Sequence, residues 1–526
     1  MNCYEKMIKE SNKNTGTISY YDTTISISKF INYVDNFASS LIKLGFKKGD
    51  VLTIYLPTNP QSLIAFYACS KLGVIANLVH PLVPIESLKN NLKENNSKGL
   101  LFVDFLVKDT SLLKNTNQIL IKTSLSDFMG TLKPFIKAFL LCKKIKIKNC
   151  LNFNSLLKKD NNINYSQEEV FDVDPVCRMH SSGTTGSPKI VELSNLSLNN
   201  LSDNLNKMYS KQIVPGKNAL VLLPIFHAYG LGVAIHTCLC NQYNLVLVPK
   251  FNFKHVAKLF KKHKINFVAG IPVMFKKIIT RKAFFGNHLK YLEDIWCGGD
   301  LITDTEVKEF DEIIKKYNGT ARIMRGYGLT EVSGVCCVNR DGYYRNGSCG
   351  KSIPNTVIEI WDENNNKLKP NQIGEIVITN NSLMEQYLND DKGFSIKDGN
   401  KWIKTGDIGK LDEDGFLYLI GRMKRSFKIN AINVYPEEVE KIILHLDFVD
   451  EVCVVPYQQN NKTLLRAFIT LKQKNIDIHK VKEEIINLCN QCLIKYSIPS
   501  DIKILDLMPR TNIGKIDFKL LSEIKQ

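Results

Sequence analysis

The sequence predicts an α/β protein with a large N-terminal domain of layered, largely parallel sheets and helices. A β-rich subdomain and a small α+β C-terminal domain are predicted to follow. Three observations lead to this fold class. The length of 526 residues exceeds what one hydrophobic core usually supports. Short strand-like runs alternate with helical stretches as far as Cys297. Beyond that point the pattern becomes rich in strands and turns, and then changes again.

The N-terminal alternation begins with a helix over residues 27–45, whose apolar residues recur at helical spacing and which ends at a glycine. A buried strand is predicted at 51–57 and the next helix at 61–73. Further strand-like runs occupy residues 100–103, 118–121, 219–224, 245–249, 266–271 and 294–297. Strands separated by helices indicate a parallel sheet, and ligands of such sheets bind at the carboxyl ends of the strands.

The second half of the chain has two further patterns. Residues 357–421 are rich in strands, with turn signals at 362–366 and 412–415. After them, Pro436 and the acids that follow it start a helix, as backbone geometry and the helix dipole favour. Strands at 452–456, 465–471 and 501–507 and a helix at 481–494 complete this pattern. We therefore predict domains at 1–421 and 426–526, with residues 422–425 between them.

The net charge of the chain bears on whether it binds nucleic acid. Lys and Arg exceed Asp and Glu by 70 − 52 = 18, with a pI near 9.1. Such a balance occurs in proteins that bind nucleic acid or anionic membranes. The lysines are spread along the whole chain, however, and no basic stripe is interleaved with aromatic residues, so we predict no nucleic-acid partner.

The sequence also predicts a cytoplasmic location. Its start has no signal pattern, and no apolar run reaches the roughly 18 residues of a membrane span. Most of the 14 cysteines lie in apolar segments, which is typical of free thiols. Cys489 and Cys492 form a CxxC motif inside a predicted helix, but no second pair supplies the remaining ligands of a zinc site.

One segment interrupts the alternation of strands and helices. Residues 128–148 combine Phe, Leu and Ile with several lysines and contain no acid. This is the composition of a helix that lies on an anionic bilayer, which would make the protein membrane-associated through a peripheral contact. A solvated insertion with a half-buried stem explains the same composition, and both interpretations stay open.

The stretch from His180 to Lys189 has little side-chain bulk and one cation at its end. Glycine, serine and threonine outside any apolar repeat let backbone N–H groups approach an anion, so we predict a phosphate-binding loop. The Walker pattern does not fit, because too few residues separate Gly183 from Gly186 and Ser-Pro precedes Lys189. The predicted nucleotide contacts of this loop are Ser181, Ser182, Gly183, Thr184, Thr185, Gly186 and Lys189.

From Ser181 to Lys189 the sequence resembles the AMP-binding signature of the adenylate-forming superfamily. This superfamily includes acyl-CoA synthetases, 4-coumarate-CoA ligases, luciferases and the adenylation domains of peptide synthetases. Further segments that resemble the family's motifs follow in the family's order, so the resemblance extends over nearly the whole chain. They are His227–Gly230, Cys297–Asp300, Tyr327–Glu331, Thr405–Asp407, Gly421–Lys428 and Pro509–Lys515.

The resemblance implies a nucleotide site. In it, Tyr327 offers a flat face to adenine, Thr330 a hydroxyl to the α-phosphate and Glu331 a carboxylate to Mg²⁺. Asp407 would accept both ribose hydroxyls, as an ionised carboxylate can. The remaining contacts to the nucleotide that the resemblance implies are Gly298, Gly299, Gly328 and Arg422.

The resemblance also implies a site for the acid. His227 would lie beside the substrate carboxylate, Tyr229 would border the acyl pocket, and Gly232 begins an apolar helix that leaves room for a tunnel. The ammonium of Lys515 would reach both the carboxylate and the α-phosphate. We therefore count Lys515, Thr330, Glu331 and His227 as the catalytic candidates.

The resemblance implies that residues 422–425, with Lys424 and Arg425, form a hinge about which a mobile C-terminal domain swings. Two residues in and after this hinge depart from the family pattern. The position after Lys424 is usually acidic in the family and is arginine here, and a glycine three residues after Lys428 is replaced by Ala431. In the family that glycine lies next to the entrance for the pantetheine thiol. Ala431 therefore puts the CoA step in more doubt than the adenylation step.

The resemblance implies an ATP-dependent acid–thiol ligase that uses ATP, Mg²⁺ and CoA to activate a fatty or aryl acid and make a thioester. An enzyme that loads an acyl or aminoacyl group onto a carrier protein stays open as an alternative, because carrier proteins are acidic and this chain is basic. A non-catalytic nucleotide-binding homologue is the third interpretation, although Glu331 and Lys515 are both present.

Overall fold

The chain folds into stacked β-sheets with helices between and around them. The computed structural model describes residues 1–104, 118–130, 150–158, 168–180, 189–208, 214–300, 302–388, 393–423, 425, 427–429, 432–459, 462–473, 476–493, 495–510 and 516–524.

The first large sheet is mainly parallel and contains eight strands within the described ranges. Their spatial order is Gln386–Tyr387, Ile190–Ser194, Pro175–His180, Ile75–Leu78, Val51–Tyr55, Ser97–Val103, Ile119–Thr123 and Leu151–Asn152. The six strands from Pro175–His180 onward are parallel to one another. Ile190–Ser194 pairs antiparallel with both of its neighbours, Gln386–Tyr387 and Pro175–His180. Because His180 pairs with Ile190, the predicted phosphate loop connects two neighbouring antiparallel strands.

The second large sheet contains nine strands in the part of the chain that the structure describes. Their order is Lys351–Ser352, Cys337–Val338, Ile323–Tyr327, Asp294–Cys297, Phe267–Gly270, Asn218–Val221, Asn244–Leu247, Thr17–Tyr20 and Thr23–Ser26. The six strands from Ile323–Tyr327 to Thr17–Tyr20 are parallel, with antiparallel strands at both edges. The carboxyl ends of strands from several parts of the chain therefore meet along one edge.

Helices fill the space between the two sheets and cover their outer faces. The α-helices of this region are Cys3–Glu10, Ile27–Lys43, Pro60–Leu72, Ile85–Glu94, Phe153–Leu156, Asn195–Met208, Phe253–His263, Pro272–Ile279 and Asp304–Lys316, and a π-helix over Tyr229–Thr237 continues as Cys238–Cys240. The largest core contains residues of both sheets and of the helices between them. A second core lies between the nine-stranded sheet and the helices that follow Asn252.

The chain continues into an antiparallel sheet and then a small α+β unit. The antiparallel sheet contains Thr356–Trp361, Gly374–Asn380, Asn400–Leu411, Ser395–Lys397 and Leu417–Arg422. The last unit contains the strands Phe427–Ile429, Ile432–Val434, Val449–Gln459, Lys462–Leu471 and Asp501–Ile504, and the helices Pro436–Ile443, Ile478–Cys492 and Phe518–Glu523, with its own apolar core.

The predicted fold class is confirmed by this architecture. The first predicted helix ends at Lys43, and Gly45 then adopts a φ of +81°, which few other residues tolerate. The turns predicted near Asp362 and Asp412 are both present as hydrogen-bonded reversals. The short strands that flank the phosphate loop are not among the predicted ones.

Candidate functional site

Two neighbouring parallel strands end in glycines at the same edge of the nine-stranded sheet. Asp294–Cys297 leads into Gly298 and Gly299, and Ile323–Tyr327 leads into Gly328. A Cβ at Gly298 would lie 3.1 Å from the carbonyl oxygen of Gly326 and 3.7 Å from the ring of Tyr229. The predicted adenine-side loop therefore lies next to the aromatic ring of the predicted acyl pocket.

Gly328 packs directly against the backbone of the turn that follows it. A Cβ at this position would lie 2.2 Å from the carbonyl oxygen of Gly334 and 2.5 Å from Cα of Val335. Only glycine allows this approach, which folds the chain back so that Tyr327 and the short helix Thr330–Val332 lie on one compact turn.

Asp407 joins the predicted adenine and ribose residues into one network. Its carboxylate accepts a hydrogen bond from Tyr327 Oη at 2.6 Å, and Arg422 Nε lies 3.0 Å from its other oxygen. Burial and the nearby Asp407 carboxylate hold the pKa of Tyr327 well above its usual range, so the phenol stays protonated and donates. Each carboxylate oxygen can accept further hydrogen bonds, which leaves capacity for hydroxyl groups of a ligand.

Asp407 follows an irregular stretch inside the strand Asn400–Leu411, and side-chain hydrogen bonds to the backbone hold this stretch in place. Thr405 Oγ1 accepts a hydrogen bond from the Asp407 N–H at 3.0 Å and donates to the carbonyl of Ile376 at 2.7 Å. The Gly406 N–H donates to Glu375 at 3.0 Å, and Gly406 adopts a φ of +69°. The Thr-Gly-Asp sequence therefore fixes the direction of the carboxylate.

Glu331 is a buried carboxylate beside two groups that favour its ionised form. It is 8% exposed, and burial raises its pKa. The hydroxyl of Tyr387, which donates to Glu331 Oε1 at 2.8 Å, and the positive charge of Lys189 both act in the opposite direction. Thr330, the preceding residue, is half-buried on the same turn.

The carboxylate of Glu331 suits the way in which nucleotide-binding proteins hold Mg²⁺. Among the described residues, no cluster of three acidic, histidine or cysteine side chains could form a metal cage by itself. Magnesium in nucleotide sites is usually held by one or two carboxylates together with phosphates and water, so a single carboxylate such as Glu331 is an appropriate donor.

His227 and Tyr229 lie where the strand Asn218–Val221 leads into the π-helix. His227 is exposed, whereas burial raises the pKa of Tyr229. Gly232 differs from the expected open position, because a Cβ there would lie 2.6 Å from the carbonyl oxygen of Ser333 and 2.7 Å from Leu201. Gly232 thus lets the π-helix approach the turn that carries Glu331, and the tunnel expected beside it stays a prediction.

A second histidine near His227 has no counterpart in the sequence-based predictions. His80 follows the strand Ile75–Leu78, and its ring lies 4.7 Å from that of Phe226, which in turn lies 5.1 Å from the ring of His227. Burial lowers the pKa of His80. Only the position of His80 after a parallel strand could have indicated it.

The predicted hinge residue Arg425 is anchored to the C-terminal unit. Its guanidinium lies 2.5 Å from Glu440 Oε1 and 3.3 Å from Glu437 Oε1, and it donates to the carbonyl of Val454 at 3.1 Å. The helix Pro436–Ile443 supplies both carboxylates. Arginine at this position therefore has acidic partners that the sequence pattern did not reveal.

Several predicted residues lie outside the described part of the chain. They are Ser181, Ser182, Gly183, Thr184, Thr185, Gly186, Lys424, Ala431 and Lys515. Lys515 lies in the segment 511–515, and the residues on either side of that segment, Arg510 and Ile516, pair in an antiparallel bridge. The roles of all these residues stay predictions.

Tyr387 is the site residue that sequence analysis missed. Its hydroxyl contacts Glu331, and the ammonium of Lys189 lies 4.2 Å from the centroid of its ring. It belongs to a two-residue strand, Gln386–Tyr387, that pairs with Ile190–Ser194. A strand this short carries no periodic signal in the sequence.

Comparison with known proteins assigns the chain to a family. The family model of AMP-binding enzymes matches residues 8–388, and that of the AMP-binding enzyme C-terminal domain matches residues 438–515. The chain belongs to the AMP-binding enzyme family. The resemblance to adenylate-forming enzymes is thereby confirmed, as is the prediction that the chain is an enzyme of this kind.

The relatives are named as CoA ligases. The chain is 26% identical to a long-chain-fatty-acid–CoA ligase of Escherichia coli O157:H7, over 90% of this chain and 85% of the relative. It is 29% identical to a probable 4-coumarate–CoA ligase 3 of Dictyostelium discoideum, over 93% and 88%. An anthranilate CoA ligase solved with anthranoyl-AMP is similar in fold, with a TM-score of 0.84, 19% identity and coverage of 99% of this chain and 97% of that one.

The remaining predictions concern cysteines and membranes. Cys489 is buried and Cys492 exposed on the helix Ile478–Cys492, and both thiols are free. No helix of the described residues is long and apolar enough to cross a bilayer. Most of the 128–148 segment lies outside the described residues, and its first residue, Phe128, packs edge-on against Tyr33.

Proposed function

We propose that the chain is an AMP-forming acid–thiol ligase that activates a fatty or aryl carboxylate as an acyl-AMP and transfers the acyl group to CoA. The observation that carries this proposal is the network of Tyr327, Asp407 and Arg422 beside the buried carboxylate of Glu331. The carboxylate of Asp407 would bind the ribose hydroxyls of a nucleotide, and that of Glu331 would bind the metal ion on its phosphates. The family membership and the names of the relatives support the same reaction.

The nucleotide would bind along the edge formed by the two glycine turns. Tyr327 would face the adenine, with Gly298 and Gly299 on its other side. Asp407 and Arg422 would bind the ribose. Lys189 and the loop before it would bind the β- and γ-phosphates, as backbone N–H groups and a cation can. Glu331 would hold Mg²⁺, which supplies charge neutralisation for the phosphates.

The first half-reaction would join two anions. A carboxylate oxygen of the acid attacks the α-phosphorus of ATP, the bond from phosphorus to the bridging oxygen breaks, and pyrophosphate leaves. Thr330 would bind the α-phosphate, while Lys515 would contact both the carboxylate and the α-phosphate as charge builds up between them. His227 would lie beside the acid, and the ring of Tyr229 would border its acyl group.

The second half-reaction would exchange oxygen for sulfur. A thiol gives up its proton, its sulfur attacks the carbonyl carbon of the acyl-AMP, and AMP leaves with the oxygen that came from the acid. We infer that the C-terminal unit, residues 426–526, moves about Lys424 and Arg425 so that the face near Ala431 replaces Lys515 at the reaction centre.

A carrier-protein phosphopantetheine is the second candidate thiol. The net charge of +18 favours it, because acidic partners associate faster with a basic surface. Ala431 in place of a glycine is compatible with a thiol acceptor other than CoA. A cytoplasmic location and a peripheral membrane contact through residues 128–148 stay predictions.

Mass spectrometry of the purified protein would test the proposal. The protein is incubated with ATP, Mg²⁺ and a panel of fatty, aryl and amino acids, with and without CoA. Acyl-CoA formed from one class of acid would support the ligase and identify its substrate. Acyl-AMP that accumulates in the presence of CoA would favour the carrier-protein acceptor, and no adenylate from any acid would refute both.

A further inference from the structure

Tyr387 connects the predicted metal ligand to the cation of the phosphate loop. Its hydroxyl donates to Glu331 Oε1 at 2.8 Å, and its ring lies 4.2 Å from the ammonium of Lys189. We propose that Tyr387 is a positioning residue that holds Glu331 and Lys189 in register for a magnesium–nucleotide complex. This inference rests on the proposed function, because it takes Glu331 as the magnesium ligand.

The backbone around Tyr387 is tied to both groups that it contacts. On one side, the N–H of Met384 donates to the carbonyl oxygen of Glu331 at 2.8 Å. On the other side, the N–H of Leu388 donates to the carbonyl of Ile190, the residue after Lys189, at 2.9 Å. The segment from Met384 to Leu388 therefore spans the distance between the acidic turn and the end of the phosphate loop.

A neighbouring side chain prevents this segment from sliding. Gln386 donates to Glu192 Oε1 at 2.9 Å, and Arg178 holds the other oxygen of Glu192 at 2.8 Å. Glu192 is 2% exposed, so this anchor lies in the interior next to the strand pair. The register that places Tyr387 opposite Val191 is thus supported by a hydrogen bond from Gln386 to the buried, charged carboxylate of Glu192.

The two ends of the Tyr387 side chain act on different partners. The hydroxyl donates to an ionised oxygen, which fixes the rotation of the Glu331 carboxylate about its last bond. The ring face attracts the ammonium of Lys189 through its quadrupole and keeps that side chain near the acidic turn. Phenylalanine would keep the second effect and lose the first, whereas leucine would lose both.

This difference allows a test by calorimetric titration of the purified full-length protein. Two probes are used, ATP with excess Mg²⁺ and ATP in EDTA. For Tyr387→Phe we expect about tenfold weaker binding of magnesium–ATP, the usual effect of losing a hydrogen bond to a charged group. Binding of ATP in EDTA should stay within about twofold of the wild type, since the ring beneath Lys189 is kept.

Tyr387→Leu should weaken both titrations, with about a threefold loss for ATP in EDTA. A matched control is Tyr418→Phe, because Tyr418 donates to the carboxylate of Asp412 at 3.3 Å in a turn outside the site. The control should leave both titrations unchanged. In an assay of acid-dependent pyrophosphate exchange, Tyr387→Phe should also raise the half-saturating Mg²⁺ concentration about tenfold.

Different results would refute the positioning role of Tyr387 and the proposed function. A Tyr387→Phe protein that binds magnesium–ATP as the wild type does, or that loses affinity equally in both titrations, overturns the role of Tyr387. A wild-type protein that binds neither form of ATP refutes the proposed function and, with it, the positioning role.

Discussion

Replacing Gly328 by alanine should impair the proposed nucleotide site and also destabilise the fold. The added methyl carbon would lie 2.2 Å from the carbonyl oxygen of Gly334, about 0.8 Å inside the 3.0 Å limit that real Cβ contacts respect. The obstacles are backbone atoms of Gly334 and Val335, which no rotamer change can move. The turn must therefore open by nearly an ångström.

The size of the effect follows from what this turn carries. Tyr327 and Glu331 lie on either side of Gly328, so an opened turn would displace the ring proposed to bind adenine relative to the carboxylate proposed to bind Mg²⁺. Misplacement by about 1 Å costs on the order of a hundredfold in rate. Overpacking of this kind also lowers the free energy of unfolding by about 1–3 kcal/mol.

The assay is acid-dependent pyrophosphate release, with urea denaturation of the same samples. The control is Gly130→Ala, an exposed glycine outside the site whose added Cβ would meet only side-chain atoms of Asp22 and Thr23, the nearest at 3.0 Å. Gly328→Ala should lose about a hundredfold in rate while the control keeps its rate and stability. A Gly328→Ala enzyme with normal rate and ATP affinity would refute the idea that this close contact sets the site.

Three further changes test other parts of the molecule. Arg425→Ala should lower the free energy of unfolding of the C-terminal unit by about 3–5 kcal/mol in urea, because it leaves buried Glu440 without its cation; an unchanged midpoint would contradict this. Lys515→Ala should abolish pyrophosphate release yet still convert supplied acyl-AMP to thioester, and near-normal pyrophosphate release would refute its assignment. Burial lowers the pKa of His236 from the usual 6.5 to about 3. The free energy of unfolding, measured in urea, should therefore fall by about 2 kcal/mol between pH 7 and pH 5 because of this residue. In His236→Gln, this part of the pH dependence should be missing.

The sign of the His236 effect follows from linkage. His236 accepts a hydrogen bond from Tyr67 and lies against Asn199 inside the core, so the folded protein keeps it neutral. The unfolded chain binds the proton near pH 6.5 and the folded chain near pH 3. Acid therefore favours the unfolded state through this window, and stability is lost as the pH falls.

The contiguous parts of the site could be predicted from the sequence. Tyr327, Gly328 and Glu331 lie on one turn, and Thr405 to Asp407 on one irregular stretch of a strand, so their chemistry is visible in short stretches of sequence. The alternation of strands and helices predicts that the residues after several strands meet at one edge of the sheet, because parallel strands present their carboxyl ends together.

Contacts between distant segments could not be predicted in this way. Tyr387 reaches Glu331 and Lys189 only because a two-residue strand adds to the edge of the eight-stranded sheet. Arg425 departs from the family pattern, yet its partners Glu437 and Glu440 are ordinary helix residues until the helix packs against the hinge. Such pairings depend on tertiary packing, which local periodicity does not record.

The most direct test of the central claim is exchange of radiolabelled pyrophosphate into ATP. We predict that exchange requires Mg²⁺ and a hydrophobic carboxylic acid, needs no CoA, and is lost in Asp407→Asn, whose amide can no longer hold Arg422 and the ribose hydroxyls as an ionised carboxylate does. No exchange with any acid, or exchange that proceeds without an acid, would contradict the assignment of this site to acyl-adenylate formation.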